Sequence, residues 1–137
     1  WKIEENQRLF LDEFARTHNI THPLGWREVS SRQVITSGGR QLMKYYSSLY
    51  DALATVYPEY KWPVNQFAAL LPMSHWDDIE NQRSFILHVS QKYSIHSPDA
   101  WKQRGMQCIK KEGGIYCLKN VQGLLSILSS MYPSAEW

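Results

Sequence analysis

Apolar residues recur at helical spacing four times along this chain. Ile3, Phe10, Leu11 and Phe14 mark one helix face, and Phe85, Ile86, Val89 and Tyr93 mark another. Leu42, Tyr46, Leu49, Leu53 and Val56 step by four, three, four and three, and Cys117, Val121, Leu124, Leu128 and Met131 step the same way. Ser47-Ser48 and Gln122-Gly123 fall inside these longer seams. Ser and Gly favour caps over helix interiors, so each seam is predicted as two short helices with a break there. Tyr57-Pro58 and Tyr132-Pro133 end the last helix of each set, because the residue before a proline is pushed out of the helical region. Gly38-Gly39 and Gly113-Gly114 fit helix C-termini, where glycine takes a left-handed backbone without penalty. Asp77 with Glu80 forms a capping-box pattern at the start of the third seam. No strand is predicted.

The order of these signals repeats. Displaced by 75 positions, residues 1–62 align with 76–137 without a gap, and 17 of the 62 pairs are identical. They include Trp1/Trp76, the block Glu5-Asn6-Gln7-Arg8/Glu80-Asn81-Gln82-Arg83, Trp26/Trp101, both Gly-Gly pairs, Lys44/Lys119, both Tyr-Pro pairs and Trp62/Trp137. A tandem duplication is the reading. Between the copies, residues 63–75 contain no Asp, Glu, Lys or Arg and carry Phe67, Leu70 and Leu71, which is not the composition of a flexible linker. The predicted fold is therefore all-α: helical repeat 1 over 1–62, an apolar linker over 63–75 that packs on the core, and helical repeat 2 over 76–137. Each repeat has about four short helices and a helix-turn-helix-like Gly-Gly corner.

The run Gly38-Gly39, Leu42-Met43-Lys44-Tyr45-Tyr46-Ser47-Ser48-Leu49, Leu53, Val56-Tyr57-Pro58-Glu59, Trp62-Pro63, followed by Pro72, Trp76-Asp77-Asp78 and Glu80-Asn81-Gln82-Arg83, resembles a module carried in several copies by large fungal and algal proteins. The resemblance covers essentially the whole chain and is better in the first copy. In the second, Asn120 stands at the Tyr45 position, Gln122-Gly123 at Ser47-Ser48 and Ser134 at Glu59. No activity is established for that module, so the resemblance implies a repeat and no function.

Composition narrows the picture. At 43% hydrophobic and 13% aromatic, 137 residues bury a real core. The uncharged stretch 63–75 is too short and mixed to span a bilayer, and the N-terminus lacks the regions of a signal peptide. Trp1 rather than Met opens the chain, so a segment of a longer protein is expected. Cys108 and Cys117 are too few for a disulfide framework and lack zinc-site spacing, which points to a reducing, intracellular setting without separating nucleus from organelle. A bond between the two thiols is left open. Cys117 sits at a seam position and reads as a buried apolar thiol. A monomer is expected.

No catalytic or metal-binding signature occurs. The five histidines (His18, His22, His75, His88 and His96) find no histidine partner across the repeat, and no nucleophile or ligand motif is present. No enzyme, cofactor or metal is expected. Charge carries more. Net charge is only +2, yet residues 26–44 hold Arg27, Arg32, Arg40 and Lys44 against Glu28, and residues 101–119 hold Lys102, Arg104, Lys110, Lys111 and Lys119 against Glu112. Acids gather instead at Glu4, Glu5, Asp12 and Glu13 and at Asp77, Asp78 and Glu80.

Cations fixed around a glycine corner are what phosphate binding needs, so Arg27, Arg40, Lys44, Lys102, Lys110, Lys111 and Lys119 are the candidate nucleic-acid contacts. DNA is placed before RNA by analogy with helix-turn-helix units. Tyr45 and Tyr50 are candidate contact aromatics, since Tyr45, Tyr46 and Tyr50 cannot all enter one small core. Arg8 and Arg83 read as structural, with Glu4 or Glu5 within one helical turn of Arg8. The recurring tryptophans read as core pins. A helical scaffold for a protein partner is the alternative, using the tyrosines and the apolar linker.

Overall fold

The computed structural model describes residues 4–116 and 121–137. Among the described residues every regular element is helical and no strand occurs, so the chain is all-α. It divides into two compact units, Trp1–Pro72 and Met73–Trp137.

The first unit begins with α1 (Glu4–Thr17), closed by Asn19 in a left-handed conformation (φ 58°), where the Ile20 amide returns to the Ala15 carbonyl at 2.8 Å. A 3-10 turn (Pro23–Glu28) leads to α2 (Ser31–Val34), whose start is fixed by a complete Ser30/Gln33 capping box. Gly38, at φ 103°, then breaks the helical path, as the glycine reading requires. Beyond it come α3 (Arg40–Met43) and α4 (Leu49–Val56). The predicted break at Ser47-Ser48 is present: Ser48 is the N-cap of α4 and accepts from the Asp51 amide at 3.2 Å.

Leu11, Leu42, Leu49 and Leu53 are almost fully buried and form one core with Phe14, Val34, Trp26 and Trp62. Each such leucine contributes about 2 kcal/mol by leaving water. The apolar stretch after Trp62 forms a 3-10 turn (Val64–Leu70) whose Phe67 and Leu70 enter this same core.

The second unit starts with a 3-10 turn (Met73–Asp77) and α5 (Ile79–Lys92). Here the structure corrects the sequence reading: the N-cap is Asp78, which accepts from the Glu80 amide at 2.9 Å, rather than Asp77. Ser94 (φ 54°) closes α5 as Asn19 closes α1. Next, α6 (Pro98–Ala100), a π-turn (Trp101–Gly105) and α7 (Met106–Lys111) run on as one helical rod over 98–111. Gly113 (φ 90°) caps the rod, with the Gly114 amide returning to the Ile109 carbonyl at 2.9 Å.

The last element, α8 (Val121–Met131), holds Gln122 and Gly123 in its first turn. No break therefore falls after them; glycine costs little at a helix start, where the amides lack intrahelical partners anyway. Phe85, Ile86, Val89, Ile109 and Ile127 are fully or almost fully buried. The tryptophan reading holds at Trp26, Trp62, Trp76 and Trp101, each at most 8% exposed. Trp137 is half-buried, and Trp1 lies outside the described residues.

Candidate nucleic-acid interface

In the first unit the cations around the glycine corner are set by what the intervening residues bury. Gly39 is buried against the Phe10 ring and Leu42 is fully buried, which turns Arg40, Gln41, Lys44 and Tyr45 outward on one short turn. The turn is held by hydrogen bonds from the Lys44 amide to Gln41 O (3.3 Å) and from the Tyr45 amide to Leu42 O (3.1 Å). Arg27 is half-buried on the separate Pro23–Glu28 turn. Tyr45 is 47% exposed, whereas Tyr50 is turned inward: its hydroxyl donates to Trp62 O at 2.5 Å and its ring lies 6.4 Å from that of Phe67. Burial pushes the Tyr50 hydroxyl pKa upward, followed by the nearby Asp51 charge. Tyr46 likewise donates inward, to Gln7 Oε1 at 2.5 Å.

The second unit presents its cations along the 98–111 rod. One side buries Trp101, Gly105, Cys108 and Ile109; the other exposes Lys102, Gln103, Arg104, Met106, Gln107, Lys110 and Lys111. Gly105 is required for this, since a Cβ there would stand 2.4 Å from the Trp101 ring. Lys102 Nζ lies 5.7 Å from the Trp137 ring centroid, and Arg104 donates to Ser94 O at 3.1 Å. Cys108 is a free, buried thiol. Lys119 and Cys117 lie outside the described residues.

Glu112, the acid that sequence counts against these cations, is withdrawn from the surface. It is 1% exposed, immediately after α7, and it is met by Lys92 Nζ at 2.9 and 3.1 Å, His88 Nε2 at 2.5 Å and the Tyr93 hydroxyl at 3.2 Å. Sequence reasoning missed this cluster. The signal available was a lone glutamate inside a run of lysines, where the residue 75 positions earlier is Ser37.

The recurring Glu-Asn-Gln-Arg block is structural, through partners other than those expected. Arg8 pairs with Glu59, 51 residues away, rather than with Glu5, and also donates to Val56 O at 3.2 Å; the Glu4 side chain lies outside what is described. Its guanidinium lies 4.9 Å from the Tyr57 ring centroid. The Glu59 hydrogen bond raises the Arg8 pKa and lowers that of Glu59. Tyr57 donates to Asp12 Oδ1 at 2.5 Å, and its own pKa is driven far up, first by burial and then by that bond. In the second unit Asn81 donates to His75 O (2.9 Å) and Gln82 to Trp76 O (2.5 Å), tying α5 to the turn before it.

Among the described residues no group of three His, Cys, Asp or Glu side chains is placed to hold a metal ion, and no helix is long and apolar enough to cross a membrane. No family model, curated protein or solved structure matches the chain.

Proposed function

We propose that this chain is a non-enzymatic nucleic-acid-binding module, DNA before RNA, that engages phosphates through the cations beside its glycine corners. The observation that carries this reading is the burial of Glu112. With its carboxylate taken by His88, Lys92 and Tyr93, the exposed side of the 98–111 rod presents Lys102, Arg104, Lys110 and Lys111, and its acid is Asp99 in the first turn. Gln103, Met106 and Gln107 share the exposed surface, giving side chains suited to base edges between cations suited to phosphates. A rod of this length, roughly 20 Å, matches what a major groove admits, which is the ground for placing DNA first. Arg40, Lys44 and Tyr45 offer a smaller surface of the same kind on the first unit.

Fluorescence anisotropy of labelled duplex DNA and single-stranded RNA, titrated at several salt concentrations, tests the reading. Affinity should fall linearly in log salt, and Lys102→Ala, Lys110→Ala and Lys111→Ala should each reduce the slope by about one. Absence of binding to either polymer at low salt refutes it.

A further inference from the structure

The first unit contains a cleft that the basic surface does not use. About 130 Å³ in volume, it is lined by Trp26, Tyr57, Tyr60, Trp62, His22 and Asp12, with small apolar neighbours. Tyr57, Tyr60 and Trp62 have centroids 6.2, 6.3 and 6.5 Å apart, and their planes are inclined by 50°, 89° and 39°, so no pair is stacked face to face. Past Thr21, Pro23 and Tyr60 the cleft continues into a wider groove of about 430 Å³.

Its charge is one-sided. Asp12 accepts from Tyr57 through Oδ1, and Oδ2 takes no partner among the described residues. The nearby Arg8 pairs with Glu59, stands over the Tyr57 ring and also feels the Asp12 charge, so that Arg8, Glu59 and Asp12 together leave a net negative charge beside the cleft. His22 accepts the Leu24 amide through Nδ1 at 3.2 Å, which turns that nitrogen to its own backbone. Lys61 lines the outer groove and not the cleft. A negative carboxylate beside several aromatic rings, in a space somewhat smaller than an apolar cavity that admits benzene, is matched by a compact organic cation.

We infer that this cleft binds an alkylated ammonium group, with the rings of Tyr57, Tyr60 and Trp62 as its walls, Asp12 as its counter-charge and the outer groove receiving the rest of the ligand. A second observation separates it from general core building. Trp26, Tyr57 and Trp62 recur 75 positions on as Trp101, Tyr132 and Trp137, as a folding role demands. Asp12 and Tyr60 do not: Leu87 and Ala135 stand there. The exposed ring and the carboxylate, the two features that suit the cleft to a cation, belong to the first copy alone. This inference is independent of the nucleic-acid reading, because the residues it uses are not among the proposed phosphate contacts.

The test is an NMR titration of the whole chain with choline, compared with its neutral isostere in which carbon replaces the quaternary nitrogen. Choline should shift the Tyr60 and Trp62 ring signals saturably and bind about tenfold more tightly than the isostere. Tyr60→Ala and Asp12→Asn should each weaken choline by several fold; asparagine keeps the acceptor for Tyr57 and removes only the charge. A trimethyllysine peptide and phosphatidylcholine vesicles, run in parallel, identify the source, and binding of either that is lost in Tyr60→Ala supports the site. Equal affinity for choline and the isostere, or ring signals unmoved by choline, peptide and vesicles alike, overturns it.

Discussion

Gly114 lies so close to the Phe85 ring that a Cβ added to it would stand 2.2 Å from Cε2 and 2.5 Å from Cζ. The same relationship holds 75 positions earlier, where a Cβ on Gly39 would meet Phe10 Cε1 at 2.9 Å and the Val34 carbonyl oxygen at 2.8 Å. The second glycine of each pair is thus required by packing, and the first by backbone angle. Gly114→Ala should cost about 1–3 kcal/mol, the range for forcing an extra carbon into a packed interior. Trimming the ring in a Gly114→Ala, Phe85→Leu chain should return part of that loss relative to the sum of the single changes, as read from urea midpoints. Strict additivity would refute the contact as the cause.

Glu112 is a fully buried carboxylate met by His88 and Lys92 of α5 and by Tyr93 just beyond it. Glu112→Gln keeps its size but leaves Lys92 and His88 facing an amide. The expected loss is about 1–3 kcal/mol, the cost of imperfectly satisfied buried polar groups. A double-mutant cycle with Lys92→Met checks this. Coupling should be clearly non-zero, because Lys92 Nζ sits within 3.1 Å of both carboxylate oxygens.

Arg83 shows what a changed partner does. Arg8 has Glu59, but the residue 75 positions after that glutamate is Ser134. Arg83 Nε is buried without a hydrogen bond, and its nearest acid, Glu80, is 3.7 Å away. Ser134→Glu should therefore raise the melting temperature, and should do so only while Arg83 is present. No gain, or the same gain in Arg83→Gln, would mean that the two arginines are differently placed.

Which features were legible depended on their range. Seams at helical spacing identified Leu42, Leu49 and Leu53 as core, and local backbone chemistry identified Gly38, Gly113 and the Ser48 cap, because each of these signals lies within a few residues of its effect. Partners chosen by tertiary folding were not legible. Arg8 reaches 51 residues to Glu59 in place of one helical turn, and Glu112 is claimed by side chains 19 to 24 residues away. Nothing in a count of charges distinguishes an acid on the surface from one in the interior. Tyr50 illustrates the same limit: hydroxyl and ring together read as a contact residue until the Trp62 carbonyl is seen to take the hydroxyl.

Acid should destabilise the chain in two separable stages. Burial, chiefly, lowers the His75 pKa below its ordinary 6.5, and Nε2 is buried with no hydrogen-bond partner. The unfolded chain therefore takes up a proton first as pH falls through 6.5, and stability is lost from there down to the folded value. Glu59 and Glu13 titrate lower. Hydrogen bonds from Arg8 and Arg16 hold their carboxyls below the ordinary 4.5, so the stability they supply is complete above 4.5 and is lost as pH falls through their folded values. Urea midpoints measured across this range should fall in both windows. His75→Gln should flatten the upper window alone, and Glu59→Gln should reduce the slope of the lower one. Added salt should weaken the lower window more, because both ion pairs are solvent-accessible whereas the His75 effect arises from burial. A His75→Gln chain that keeps the full slope between neutrality and 4.5 would show that another group titrates there.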